Sequence, residues 1–129
     1  LFNPVQILLK TAVKLEKGGD KTENRILVLT PYRLFLLTAK VPTKIDHHIH
    51  YLDIQAVESR KANQLILRIS ENKAYSFRPA TDDSANSSEA VDQIIVTLAT
   101  AIRSIFPGVL LDHVIPKVSV RSFVFCCNG

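Results

Sequence analysis

The chain has 129 residues, of which 47% are hydrophobic and 22% charged, and its net charge at pH 7 is +4. This composition predicts one globular domain and excludes wholesale disorder, and no apolar run approaches the roughly 20 residues that a helix needs to cross a bilayer. Residues 1–44 hold eight basic and three acidic side chains, whereas residues 45–129 hold eight and nine. The positive excess therefore lies in the first third of the chain and indicates an anionic partner.

The first two thirds of the sequence predict short antiparallel strands. Ile7, Leu9, Val13 and Leu15 alternate with polar or small residues, which is the pattern of a half-buried strand. A turn over residues 18–20 then connects this strand to the next in a β-hairpin. Seven strands are predicted, over residues 7–16, 24–30, 33–39, 45–51, 54–59, 64–70 and 73–77.

The hydrophobic period changes after a polar loop at residues 81–88. Apolar residues from Val91 to Phe106 follow helical spacing and form one stripe, which predicts an amphipathic helix over residues 87–106. Asn86 and Glu89 are a capping pair, and Pro107-Gly108 ends the helix. The predicted fold is α+β, mainly β: a seven-stranded bent antiparallel sandwich or barrel over residues 1–108, capped by one C-terminal helix. This is the order of elements in the pleckstrin homology (PH) fold.

Several short blocks occur in a fixed order over about residues 10–120. They are Lys14-Leu15-Glu16, Gly19-Asp20-Lys21, Glu23-Asn24, Leu27-Val28-Leu29-Thr30, Phe35 to Ala39, Pro42-Thr43-Lys44, Tyr51-Leu52 and Ile105-Phe106-Pro107-Gly108. Together these blocks resemble the amino-terminal PH domain of the CARMIL family, the capping protein regulators and myosin-I linkers.

The resemblance implies a cytosolic regulator of actin assembly, placed peripherally at the plasma membrane of the leading edge and acting in actin filament organisation and cell migration. In CARMIL proteins the PH domain docks to acidic phospholipids with limited headgroup selectivity. Capping protein and myosin I bind through other regions, which we expect to be absent here. Residues 109–129 are then expected to be a tether or an atypical tail toward an absent leucine-rich-repeat domain.

The candidate lipid-binding residues are cations of the first hairpin and of a neighbouring loop. They are Lys10, Lys14, Lys17, Lys21, Arg25, Lys40 and Lys44. Phosphoinositide-selective PH domains open their second strand with two basic residues one apart, but here Glu23 stands two residues before Arg25. This departure predicts a diffuse positive surface in place of a tight headgroup pocket, with each Lys or Arg near an anionic leaflet contributing about 1 kcal/mol.

The tract Asp46-His47-His48-Ile49-His50 raises the question of a metal site, because Asp46, His48 and His50 would share one face of a strand. No well-spaced fourth ligand accompanies them, so surface histidines on an edge strand are the preferred interpretation, and no metal or cofactor is predicted. Mild acidity would charge these histidines. We hypothesise that membrane binding strengthens near pH 6, and binding to liposomes that is flat between pH 6 and 8 would contradict this.

Other functional classes receive less support from the sequence. It has no glycine-rich phosphate loop, nucleophile elbow or Cys/His pairing, so no enzyme is predicted. Nucleic-acid binding is disfavoured because the helix is not basic and no exposed aromatics interleave the basic strand.

Adjacent Cys126 and Cys127 give no disulfide framework, which favours the cytosol. The main alternative is a PH/PTB-like adaptor that binds a peptide or protein by adding a strand beside the helix.

Overall fold

The computed structural model describes residues 6–60, 63–81, 84–105 and 123–124. Within them, eight strands form one antiparallel sheet in the order β4-β3-β2-β1-β7-β6-β5-β8. The strands are β1 (Leu9–Gly18), β2 (Lys21–Leu29), β3 (Arg33–Thr38), β4 (Ile45–His50), β5 (Ala56–Arg60), β6 (Gln64–Ser70), β7 (Lys73–Pro79) and β8 (Phe123–Val124). The helix α1 spans Ser84–Ile105, and a short 3-10 helix spans Tyr51–Asp53.

The predicted order of seven antiparallel strands followed by one helix is confirmed, although several bounds differ. β2 begins at Lys21, three residues before its predicted start, and α1 begins at Ser84, so Asn86 lies within the helix and is not its N-cap.

The first hairpin stays paired up to its tip, from Gly18 to Lys21, because Gly18 (φ 105°) and Gly19 (φ 59°) adopt the left-handed backbone that glycine favours. Ile7 lies outside β1 and is exposed, so the predicted start of the first strand, at residue 7, is two residues too early. β7 runs two residues further than predicted, because Pro79 pairs with Val13 of β1.

Of residues 109–129, which are predicted to be a tether or tail, the structure describes only Phe123 and Val124. Phe123–Val124 forms β8, which pairs with β5 through Ala56 to Val124 and Val57 to Phe123. The rest of that segment lies outside the described residues, as do Phe106 and the predicted helix stop at residues 107–108. In the part of the chain that the structure describes, no helix is long and apolar enough to cross a membrane.

The core lies on the inner face of the bent sheet, under α1. Alternation turns Val13 and Leu15 of β1 inward, together with Leu27, Leu36 and Phe77 of neighbouring strands. One stripe of α1 covers them, and its buried residues are Val91, Ile94, Ile95, Leu98, Ala101 and Ile102. The helix therefore closes the core through the residues whose spacing predicted it.

Three connections lie at one end of the sheet, which we call the hairpin end. They are the β1–β2 turn, the β3–β4 loop of residues 39–44 and the β6–β7 turn at residues 70–73. Their proximity follows from the register: Arg25 pairs with Thr38 near the end of β3, and Leu15 pairs with Phe77 as β7 leaves its turn. Residues 17–21, 39–44 and 71–73 of these connections are exposed, so the helix does not cover them.

Candidate functional site

Five of the seven candidate lipid-binding residues lie at the hairpin end. Lys17 and Lys21 border the β1–β2 turn, and Lys40 and Lys44 border the β3–β4 loop. Arg25 lies on β2 opposite Thr38, close to that loop. The four lysines are exposed, whereas Arg25 is partly buried. The antiparallel register thus gathers side chains that are up to 27 residues apart in sequence.

The other two candidates lie elsewhere on β1. Lys14 is on the outer face of the sheet, in one row with Asn24 of β2 and Arg78 of β7. Lys10 is exposed opposite Val28. Since a strand rises about 3.4 Å per residue, Lys10 lies roughly 24 Å along β1 from Lys17. The structure does not bring Lys10 to the hairpin end.

Arg25 is engaged by two carboxylates. Its Nε donates to Oδ2 of Asp46 at 2.7 Å, and its Nη2 donates to Oε2 of Glu23 at 3.3 Å. The hydrogen bond from Arg25 lowers the pKa of Asp46 below its ordinary value, against the opposing effect of burial, and the same bond raises the pKa of Arg25. The charge of Arg25 is therefore compensated inside the protein and contributes less to the outer field than an exposed lysine does.

Glu23 lies between two cations. Its Oε1 is 3.6 Å from Nζ of Lys17, and its Oε2 faces Arg25. The same residue lines an open groove of about 350 Å³ between β2 and the β3–β4 loop, whose lining is Glu23, Asn24, Arg25, Thr38, Ala39 and Lys40. A phosphate entering this groove would meet the carboxylate of Glu23 as well as the cations. The acidic residue noted in the sequence thus lines the same groove as the cations Arg25 and Lys40.

The lysines at the rim of the hairpin end differ from Arg25. Lys21, Lys40 and Lys44 are exposed, and none of them forms a salt bridge with another described residue. Two acidic residues, Asp20 and Glu71, are exposed on the turns at the same end. The hairpin end therefore carries both signs of charge, with cations in excess.

Sequence reasoning missed one cation of this surface. Lys73 is exposed at the start of β7, and its Nζ lies 5.7 Å from the ring centroid of Tyr75. The turn at residues 70–73 was recognisable from its composition, but its position beside the first hairpin depends on the pairing of β7 with β1. Local pattern does not reveal that long-range pairing.

A β-bulge in β4 changes the predicted arrangement of the histidine tract. The register between β3 and β4 shifts between Leu36, which pairs with His47, and Leu37, which pairs with Ile45. Asp46 is the extra residue, and its carboxylate turns toward Arg25. The prediction that Asp46 shares a face with His48 and His50 is therefore wrong, because the bulge breaks the alternation.

The three histidines have separate surroundings on the edge strand β4. The ring of His47 lies 4.8 Å from that of Tyr75, and His48 stacks at 6.2 Å on Phe35. Nδ1 of His50 accepts a hydrogen bond from the backbone N–H of Leu52 at 3.0 Å. Among the described residues, no group of three or more His, Cys, Asp or Glu side chains is arranged to hold a metal ion.

Comparison with known sequences relates the chain to one family. The family model for the Carmil pleckstrin homology domain matches residues 7–107. The rat capping protein, Arp2/3 and myosin-I linker protein 3 is 33% identical over 102 residues, which cover 79% of this chain and 7% of the relative. Protein CARMIL of Dictyostelium discoideum is 32% identical over 97 residues, covering 74% and 9%. The chain thus spans less than a tenth of the length of these relatives.

Solved structures with the same fold include PH domains. The solution structure of the N-terminal PH domain of human ARAP2 has a TM-score of 0.61 at 13% identity, covering 78% of this chain and 83% of that one. A structure concerning the PH and C1 domains of the Vav1 exchange factor has a TM-score of 0.63 at 12% identity, covering 79% and 27%. These likenesses concern the fold alone, and the predicted fold class is confirmed.

Proposed function

The chain belongs to the Carmil pleckstrin homology domain family, and from this premise we propose that it is a non-catalytic module that docks a protein on acidic phospholipid membranes. The contact is electrostatic and has low headgroup selectivity. Its location is the cytoplasmic face of the plasma membrane, at the leading edge.

The observation that carries the proposal is the clustering of exposed lysines at the hairpin end. Lys17 and Lys21 on the first hairpin lie at the same end as Lys40 and Lys44 on the β3–β4 loop. Each such residue near an anionic leaflet contributes about 1 kcal/mol. Lys21, Lys40 and Lys44 form no salt bridge with another described residue, whereas the charge of Lys17 is partly offset by Glu23 at 3.6 Å. Together they support reversible binding that salt weakens, because the attraction decays over a Debye length.

Low selectivity is supported by the contacts of Arg25 and Glu23. Arg25 is held by Asp46 and Glu23, and Glu23 lines the groove in which a headgroup phosphate would sit. Charge-assisted hydrogen bonds from Arg and Lys give phosphate recognition its strength and geometry, and here the carboxylates compete with phosphate for the Arg25 donors. The lysines at the rim supply attraction without that geometry.

The cellular role follows from the relatives' names. They describe linkers of capping protein, Arp2/3 and myosin I, and we propose that this module brings a protein of that kind to membranes where actin filaments are organised during cell migration. Capping protein and myosin I would be bound through regions other than residues 7–107.

Co-sedimentation with liposomes tests the proposal. The double variant Lys40→Glu/Lys44→Glu is compared with Lys10→Glu/Arg33→Glu, which changes the net charge equally at exposed sites away from the hairpin end, since Arg33 begins β3 and pairs with His50. On phosphatidylcholine vesicles with about one third phosphatidylserine, we expect the first variant to bind at least roughly tenfold more weakly than the wild type and the second to bind almost normally. Equal losses in both variants would mean that only net charge matters.

Selectivity is tested with the wild type alone. Phosphatidylserine vesicles and phosphoinositide vesicles are matched for total headgroup charge. We expect affinities within a few-fold of each other and a steep loss of both between low and high salt. Salt-resistant binding to one phosphoinositide would contradict the absence of a tight pocket.

One observation favours a second candidate function, that of a peptide-binding adaptor. The outer edge of β5 pairs with the two-residue strand β8, so this edge accepts an added strand in the way that peptide-binding modules use. Two results together would favour this function over membrane docking. The first is a pull-down in which the wild type and the Lys40→Glu/Lys44→Glu variant both retain the same protein partner in stoichiometric amount. The second is that the wild type does not bind acidic vesicles.

A further inference from the structure

The β3–β4 loop carries an apolar side chain at its tip. Val41 is 96% exposed, the highest value for a large apolar residue in the described part of the chain, and Ile45 at the end of the loop is 57% exposed. Single exposed apolar side chains are common on protein surfaces. Val41 is distinguished by its neighbours, because Lys40 precedes it and Lys44 follows three residues later.

Hydrogen bonds close the base of this loop. The backbone N–H of Thr38 donates to the carbonyl oxygen of Lys44 at 2.8 Å, and the N–H of Lys44 donates to Oγ1 of Thr38 at 2.9 Å. Oγ1 of Thr43 donates to the carbonyl oxygen of Lys40 at 3.4 Å. These bonds fix the conformation of the loop before binding. Little conformational entropy is therefore lost when Val41 contacts a partner.

The loop also lies beside the first hairpin. Lys40 lines one groove with Glu23 and Arg25 of β2, and Lys17 is 3.6 Å from Glu23. A bilayer that contacts Lys40 and Lys44 of this loop therefore lies near Val41, which stands between them in the sequence and is exposed. The lysines complement lipid phosphates, while the valine is suited to the boundary between headgroups and acyl chains just beneath them.

We propose that Val41 inserts into the interfacial region of an acidic bilayer while Lys40 and Lys44 contact the phosphates on either side of it. This inference rests on the proposed membrane docking and adds an apolar contact to it. Burial of Val41 is insensitive to ionic strength, since the hydrophobic contribution depends on the area removed from water. Part of the binding then persists at salt concentrations that screen the lysines.

The chain contains no tryptophan, so a single introduced tryptophan reports on its own site. Val41→Trp is compared with Val96→Trp, because Val96 is a 64% exposed valine on α1. With vesicles of phosphatidylcholine and phosphatidylserine, we expect the emission of the Val41→Trp variant to shift to shorter wavelength and to be quenched by lipids brominated near the headgroup. The emission of the Val96→Trp variant should change little, which controls for the preference of tryptophan itself for membrane interfaces.

The outcomes separate the two proposals. If Val41→Trp sediments with acidic vesicles but its emission stays that of a solvated tryptophan, insertion is overturned and electrostatic docking stands. If neither the wild type nor Val41→Trp binds acidic vesicles, both proposals fail. Equal shifts and quenching at positions 41 and 96 overturn insertion through this loop.

A polar substitution gives a second readout without tryptophan. We expect Val41→Ser to bind acidic vesicles about threefold to tenfold more weakly than the wild type, and to lose the binding that remains at high salt. Val96→Ser is the matched control and should bind like the wild type. Both sites are exposed, so thermal unfolding should be nearly unchanged. Wild-type affinity and salt dependence in Val41→Ser would overturn insertion.

Discussion

Nε of Arg25 on β2 donates to Oδ2 of Asp46 on β4 at 2.7 Å, across the intervening strand β3. The contact is possible because Asp46 is the extra residue of the β-bulge in β4. It ties the edge strand to the middle of the sheet, and it also withdraws the charge of Arg25 from the surface. One ion pair thus contributes to stability at the expense of the positive field at the hairpin end.

Asp46→Asn is therefore predicted to change stability and membrane binding in opposite directions. The side chains of Arg25 and Asp46 are 12% and 25% exposed, so the pair is neither fully exposed nor fully buried. Exposed ion pairs contribute less than about 1 kcal/mol, whereas breaking a buried pair costs about 3–5 kcal/mol. We expect a loss on the order of 1–2 kcal/mol in urea unfolding, with tighter binding to acidic vesicles because Arg25 is less compensated. Asp53→Asn, an exposed acid, is the control for net charge. Weaker vesicle binding by Asp46→Asn would contradict the prediction.

The same pair predicts a pH dependence of stability. The hydrogen bond from Arg25 lowers the pKa of Asp46 below its ordinary 3.8. Its stabilisation is therefore complete at pH values above the ordinary pKa and is lost as the pH falls through the lower, folded-state pKa. The difference in unfolding free energy between wild type and Asp46→Asn should shrink as the pH falls below about 4. A difference that is as large at pH 3 as at pH 7 would assign the effect to something other than this ionisation.

The hydroxyl of Tyr51 anchors the end of β4 to β2. It donates to the backbone carbonyl oxygen of Thr30 at 2.6 Å, and Tyr51 is 1% exposed. Burial raises the pKa of Tyr51 well above its ordinary value, so the hydroxyl keeps its proton and remains a donor. We expect Tyr51→Phe to lower the unfolding free energy by about 1–3 kcal/mol, because a buried carbonyl loses its partner.

The control for Tyr51→Phe is Tyr32→Phe. Tyr32 is 62% exposed, and surface substitutions of this kind usually stay within about 0.5 kcal/mol. Chemical denaturation measures both variants, and neither should alter binding to acidic vesicles. Equal stability of the two variants would mean that the Tyr51 hydroxyl makes no net contribution.

The fold was predictable because its signals are local. The alternation around Val13 and Leu15 and the stripe from Val91 to Ile102 each reflect burial of one face, which sequence period records directly. The acidic residue at position 23, where phosphoinositide-selective PH domains have a basic one, was also visible in the sequence. In the structure its carboxylate lies between Lys17 and Arg25 and offsets their charge.

The features that escaped prediction depend on contacts between distant segments. The partner of Arg25 follows from a bulge in β4, and the place of Lys73 follows from the pairing of β7 with β1. Strand β8 pairs with β5, which lies far earlier in the chain. Such pairings are set by the register of the whole sheet, which a local pattern of polar and apolar residues does not specify.

Glu16 provides a last prediction, on the outer face of the sheet. Its Oε1 accepts hydrogen bonds from Nε2 of Gln64 at 2.6 Å and from Oγ of Ser76 at 2.9 Å, so one carboxylate oxygen joins β1, β6 and β7. Bonds to a charged acceptor are worth about 1.5–3 kcal/mol when they are shielded from water, and these are partly buried. We expect Glu16→Ala to lower the urea-unfolding free energy by about 1–2 kcal/mol. Glu16→Gln should lose less, because its amide oxygen still accepts one or both bonds. If Glu16→Gln is as unstable as Glu16→Ala, the negative charge of Glu16, and not the hydrogen-bond geometry, holds these three strands together. High salt would then lower the stability of the wild type more than that of Glu16→Ala, which has no charge at this position.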